Sequence, residues 1–184
     1  MFFFDNAVNN FTFKPRSVEY AYLAILNDDL DTAKLVFESI DSSRAKWGKA
    51  LTGILSGFTE KFPTYFEIRN FFEIDLDFLI KNDKTHYVEM LLSSLKYLSQ
   101  INQEIYKYTA RVMLENKLNN SALEYMEKSK ELFYSDPELH FMLAKFYLSQ
   151  NNFNLAIVHI DECLKIVPSY YPAIKIRKEI SSRL

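Results

Sequence analysis

The chain has 184 residues, 48% of them hydrophobic and 25% charged, with a formal net charge of −2. That balance is that of a soluble protein, and it argues against a nucleic-acid binder that works by charge. With only 3 Gly and 5 Pro the case for an all-β chain is weak, and no stretch approaches the roughly 18 apolar residues of a membrane span. The 16 Phe and 12 Tyr must be buried in a core or against a partner. A single cysteine, Cys163, has no internal disulfide partner, which suits a reducing compartment. The start, Met1-Phe2-Phe3-Phe4-Asp5-Asn6, has no basic leader, so a cytoplasmic location is expected. Abundant Asn, Lys, Ile and Phe point to an AT-rich, bacterial genome.

In chain order, Phe2, Phe3, Phe4, Phe11 and Phe13 lie in an N-terminal arm over residues 1–13, expected to cover the first helices or to dock on a neighbouring chain. Tyr20, Ala21, Ala24, Ala33, Phe37 and Ile40 recur at helical spacing and predict a helix pair over 16–26 and 30–40. Between them, Asp28-Asp29-Leu30-Asp31 lacks the glycine and distal glutamate of a cation loop and reads as a turn that caps the second helix. A further helix is expected over 44–57, around Trp47. Proline inside a helix costs about 3 kcal/mol, so Pro63 should open a new helix running from Thr64 to about Asn82. On that helix Phe72, Leu76 and Leu79 face one way while Phe71 and Phe78 face another, so it should be buried on most sides, packed between two blocks. The alternative is that Phe58, Phe62, Tyr65 and Phe66 form a partner or dimer surface.

From there the spacing predicts helices over 84–99, 102–116, 119–134, 137–150, 153–166 and 170–183, about ten in all. Ser135-Asp136-Pro137-Glu138 is a helix start, with an Asp cap, Pro in the first turn and early negative charge. Leu139, Met142, Leu143, Phe146 and Tyr147 form one stripe, and Ala156, Ile157, Ile160, Cys163 and Leu164 the next, before Pro168 ends the second helix. Ala110 and Ala122 recur as Ala144 and Ala156, offset by 34 residues, and Ala21 and Ala33 share their spacing of 12. Small residues at these slots allow two helix backbones to approach closely.

The unit Leu143-Ala144-x-x-Tyr147, Ala156, Ile160, Cys163, Pro168 resembles a tetratricopeptide repeat, with His140 where the family commonly has Trp. The period implies an all-α fold, an α–α superhelix of antiparallel helix pairs. The resemblance implies a single domain over 1–184: the arm 1–13, a repeat at 14–40, an irregular helical insert at 41–68, a degenerate repeat at 69–102, repeats at 103–136 and 137–170, and a capping helix at 171–184.

The resemblance also implies a non-catalytic protein–protein interaction scaffold, whose first helices line a concave groove for a peptide or partner segment. The register places Lys107, Tyr108, Arg111, Phe141, Lys145 and Lys175 on that groove, a basic stripe suited to an acidic peptide. The Lys and Asn set of the family's carboxylate clamp is absent, so binding of chaperone tails is not expected. The second reading is a homodimer held by the aromatic surfaces. A ligand-sensing regulator or an enzyme is the third. No cofactor motif, phosphate-cradling loop or nucleophile elbow occurs, and no metal site, nucleic-acid partner or membrane partner is expected. His86, His140 and His159 have no zinc-ligand spacing. The last two are expected to be structural or solvent-facing, and Cys163 to be a buried, inert thiol.

Overall fold

A computed structural model describes residues 16–58 and 62–181. The N-terminal arm and the extreme C-terminus of the capping helix therefore lie outside the described residues. Eleven helices, and no strand, occur among them. They are α1 (Val18–Leu26), α2 (Leu30–Glu38), α3 (Ser43–Leu55), α4 (Tyr65–Lys81), α5 (Thr85–Ser93), α6 (Leu95–Leu98), α7 (Ile105–Glu115), α8 (Asn119–Leu132), α9 (Pro137–Ser149), α10 (Phe153–Ile166) and α11 (Tyr171–Ser181). The all-α class is as expected. The one helix anticipated over 84–99 is two, α5 and the short α6, broken at Ser94. No helix among the described residues is long and apolar enough to cross a membrane.

The chain divides into two compact units, Met1–Asn102 and Gln103–Leu184. The division falls where the sequence starts a repeat at residue 103. In the first unit α1 packs on α2, α2 on α3, and α3 on α4 and α5. In the second, α7 pairs with α8 and α9 with α10, and α11 closes on α10.

The paired alanines do what their size permits. Ala21 and Ala33, Ala110 and Ala122, and Ala144 and Ala156 are all fully buried. In the second unit Ala144, Ile160, Cys163 and Ala173 form one core cluster, covered by Phe141, Leu164, Tyr170 and Ile176. The single cysteine is thus a small core residue, and burial pushes its thiol up from the ordinary range.

The turn inside each helix pair is the same device each time. Asp28, Asp83, Lys117 and Asn151 have φ values of 61°, 56°, 61° and 57°, in the left-handed region. The next amide then reaches back five residues: Asp29 to the Ala24 carbonyl (2.9 Å), Lys84 to Leu79 (3.0 Å), Leu118 to Met113 (2.8 Å) and Asn152 to Tyr147 (2.9 Å). This is a helix C-terminus closed by one left-handed residue. Residues 83, 117 and 151 are 34 apart, so the period extends through the degenerate segment 69–102. Gly57 (φ 73°) closes α3 in the same way, with Phe58 N–H on the Gly53 carbonyl at 2.9 Å. The segment around Trp47 therefore ends like the first helix of a repeat but falls out of step with the others.

Side-chain caps mark the starts of α1, α2, α3, α4, α9 and α10. Asp29 accepts from Thr32 N–H at 3.0 Å, as expected of that acidic turn. Pro63 precedes a full capping box, in which Thr64 N–H donates to the Glu67 carboxylate at 2.8 Å and Glu67 N–H to the Thr64 hydroxyl at 3.3 Å. The helix expected from Thr64 to Asn82 is α4, with Thr64 and Asn82 as its caps.

Left-handed backbone strains a Lys more than an Asn or Asp. Lys117→Gly should therefore raise the unfolding free energy by about 0.5–1 kcal/mol, the relieved strain less the entropy that Gly adds to the unfolded chain. Asn151→Gly should change it less. Urea denaturation compares the two.

Candidate functional site

The first-helix face of the second unit holds the residues assigned to the groove. Lys107 is 5% exposed and sits among three carboxylates: Asp136 at 2.7 Å, Glu104 at 3.0 Å and Glu138 at 3.2 Å. Burial alone would lower its pKa, but hydrogen bonds to Asp136 and Glu104 and the charges of Asp136 and Glu138 outweigh this and hold it above the ordinary lysine range. Asp136 has a double role. One oxygen caps α9, accepting from Glu138 N–H (2.9 Å) and Leu139 N–H (3.2 Å), and the other takes Lys107. Tyr108 is buried and donates to Glu104 at 2.8 Å. Arg111 pairs with Glu138 at 2.6 Å. The cations at 107 and 111 thus tie α7 to the head of α9.

Phe141 is half-buried against Tyr170, with ring centroids 5.2 Å apart. Lys145 is exposed, its ammonium 5.9 Å from the centre of the Phe141 ring. Lys175 is exposed on α11. Of the expected stripe, Lys145 and Lys175 present positive charge to solvent with no ion pair among the described residues.

The aromatic segment in the first unit behaves differently along its length. Ile68, Phe72, Leu76 and Leu79 are fully buried, and α4 packs on α3 and α5. The expectation of burial on most sides holds for that stripe and fails on the opposite face, where Phe66 and Ile74 lie open. Phe58, Phe62, Tyr65 and Phe66 are 67%, 50%, 39% and 66% exposed. Phe62 lies on the ring of Tyr97 at 4.5 Å, and Tyr65 meets Phe66 edge to face at 5.4 Å. The capping box at Thr64 and the burial of Pro63 set Phe62, Tyr65 and Phe66 around the head of α4, whereas Phe58 follows the end of α3.

Two buried polar centres were not anticipated. In the first unit Asp75 is fully buried and accepts from Tyr22 Oη (2.8 Å), Trp47 Nε1 (2.5 Å) and Arg44 Nη2 (2.5 Å). It joins α1, α3 and α4 at one point. Burial holds its carboxyl above the ordinary range, against the charge of Arg44 and three hydrogen bonds, and burial together with the Asp75 charge keeps the Tyr22 hydroxyl protonated. The signal was an Asp on the same stripe as Ile68, Phe72 and Leu79. Removing one partner of a buried ion pair leaves the other charge uncompensated. Asp75→Asn should therefore destabilise the protein by about 3 kcal/mol, read from urea unfolding followed by Trp47 fluorescence.

In the second unit His140 and His159 are both buried, with Nδ1 atoms 3.1 Å apart. His140 Nε2 lies 2.7 Å from the Tyr134 carbonyl. A carbonyl only accepts, so this nitrogen carries the proton and His140 Nδ1 is the acceptor. His159 Nδ1 must then be the donor. The Tyr147 ring stacks on His159 at 5.5 Å and 3°. Of the two expectations for these histidines, structural or solvent-facing, both are therefore structural. Among the described residues no group of three or more His, Cys, Asp or Glu is arranged to hold a metal ion.

Burial, then repulsion from a protonated His140 and from Lys130, depress the His159 pKa to about 4, against the opposite pull of Glu127 and Glu162. A histidine whose folded pKa lies below its unfolded value stabilises the fold above about pH 6.5 and loses that contribution as pH falls toward 4. The wild-type protein should lose about 2 kcal/mol of unfolding free energy between pH 7.5 and 5 from this source. The double substitution His140→Phe, His159→Phe should remove that part of the pH dependence, measured by urea denaturation at both values.

Comparison with family models gives no match, and comparison with curated proteins gives none. Among solved structures the chain is similar to the crystal structure of a thermophilic TPR protein from Thermus thermophilus. Sequence identity is 16%, coverage is 89% of this chain and 96% of that one, and the TM-score is 0.45.

Proposed function

We propose that the chain is a non-catalytic protein-interaction module. The observation that carries this is the group of outward-facing rings at Phe58, Phe62, Tyr65 and Phe66 beside Tyr97. Exposed aromatics of this number are unfavourable in water and supply large contact area at low entropic cost when a partner covers them. Tyr65 and Phe66 project from a capped helix head, so little ordering of these two is needed on binding.

A second reading rests on a separate observation in the second unit. Lys145, on a first helix beside Phe141, and Lys175, on the capping helix, have charge to offer an acidic peptide. Lys107 and Arg111 do not add to that charge, because Glu104, Asp136 and Glu138 already offset them. A homodimer through the aromatic rings is the alternative occupant of the first surface.

Affinity capture from native cell extract, quantified by mass spectrometry, separates these readings. A protein retained by the wild type and lost with Phe62→Ser, Phe66→Ser supports the aromatic surface. Loss with Lys145→Glu, Lys175→Glu instead supports the groove. Self-association by sedimentation that disappears in the serine variant supports the dimer. A binding profile unchanged by either pair, with a monomer throughout, contradicts the proposal.

A further inference from the structure

The first unit contains a pocket of about 300 Å³ between α1, α3 and α4. Leu23 and Leu26 from α1 and Phe78 from α4 make its apolar wall, Tyr22 and Arg44 make a second wall, and Glu19 is exposed at the mouth. That volume is at the small end of the range for ligand pockets.

Arg44 is held in place from three sides. Its Nη2 is fixed on Asp75, and its guanidinium lies over the Tyr22 ring at 4.6 Å and the Phe71 ring at 4.9 Å. Stacking of this kind fixes the plane of the group without consuming its N–H donors. Asp75 divides its oxygens among Tyr22, Trp47 and Arg44. Arg44 Nη1 is buried and has no hydrogen-bond partner among the described residues. That atom is closed off from solvent, and the part of Arg44 that lines the pocket is the remaining surface of a side chain 24% exposed. The pocket thus combines an apolar wall with a pre-oriented, part-exposed guanidinium.

We propose that this pocket binds a monocarboxylate with a small apolar body, its oxygens on Arg44 and its body against Leu23, Leu26 and Phe78. The carboxylate comes from a free acid or from the C-terminal residue of a peptide, since both carry the same head and an apolar side. Glu19 at the mouth repels an anion, so it weakens binding and disfavours ligands with a second negative charge.

Trp47 is the only tryptophan and shares Asp75 with Arg44, so its fluorescence reports on the pocket. The test titrates the full chain with hexanoate and with 1-hexanol. Hexanoate should give a saturable change, and hexanol should bind about tenfold more weakly for want of a charge-assisted hydrogen bond. Arg44→Lys keeps the charge and loses the planar fork, and should weaken hexanoate about tenfold with the circular dichroism unchanged. Glu19→Gln, at an exposed position, should tighten it and serves as the deciding variant if Arg44→Lys does not fold. A short peptide ending in Leu, compared with its amide, distinguishes the sources: binding of the free-acid form alone assigns a peptide terminus, and binding of hexanoate without either peptide assigns a free acid. Equal affinity for hexanoate and hexanol, no saturation in the millimolar range, or a Glu19→Gln variant no tighter than the wild type overturns the proposal.

Discussion

The complete burial of small residues, the paired alanines, between packed helices is the constraint on which both units depend. Ala21 with Ala33, Ala110 with Ala122, and Ala144 with Ala156 are fully buried, and each pair spans one left-handed turn. A larger side chain at any of them would push the helices apart or force its neighbours off their rotamers. Leucine, phenylalanine and tyrosine then fill the space on either side of the crossing. Because helices within each unit pack mainly on their neighbours in sequence, each core is a succession of local contacts, as in helical repeats.

Charge is used to join helices that apolar packing alone would leave free to slide. Asp75 gathers Tyr22, Arg44 and Trp47 from two other helices, and Asp136 caps α9 while holding Lys107 of α7. Each site buries one charge, the Asp75 carboxylate or the Lys107 ammonium, and satisfies it with several partners, the arrangement that makes a buried charge tolerable. The same pairing explains the second unit's surface. Cations that helical register places on the groove are taken up by internal pairs, and the outward charge is left to Lys145 and Lys175.

Much of the fold was legible because it is periodic. The alanine spacing, the Asp136-Pro137 start, the Pro63 break and the turn at Asp28-Asp29 each led to an element within a few residues of where it stands. The break at Ser94 was not legible, since Leu91, Leu92, Leu95 and Leu98 keep a helical spacing across it. The candidate surfaces were read less well. Helical register says which face a side chain occupies but not which partners reach it, so Lys107 looked available when three carboxylates surround it. His140 and His159 lie 19 residues apart in sequence and meet only once α9 and α10 pair. Asp75 carried a signal of its own, a carboxylate on an apolar stripe, and its donors Arg44 and Trp47 came from the helix that fell outside the repeat phase.

The local character of the core gives the account its most direct test, the hydrogen exchange of an Ala156→Leu variant followed by mass spectrometry. If the alanine crossing holds the second unit together, overpacking it should destabilise that unit by about 1–3 kcal/mol. Protection should then fall across α9, α10 and α11, while Val158→Leu on the exposed face of α10 leaves it unchanged. Equal protection in Ala156→Leu and wild type would contradict the account, since the crossing would then have room that full burial of Ala144 and Ala156 denies.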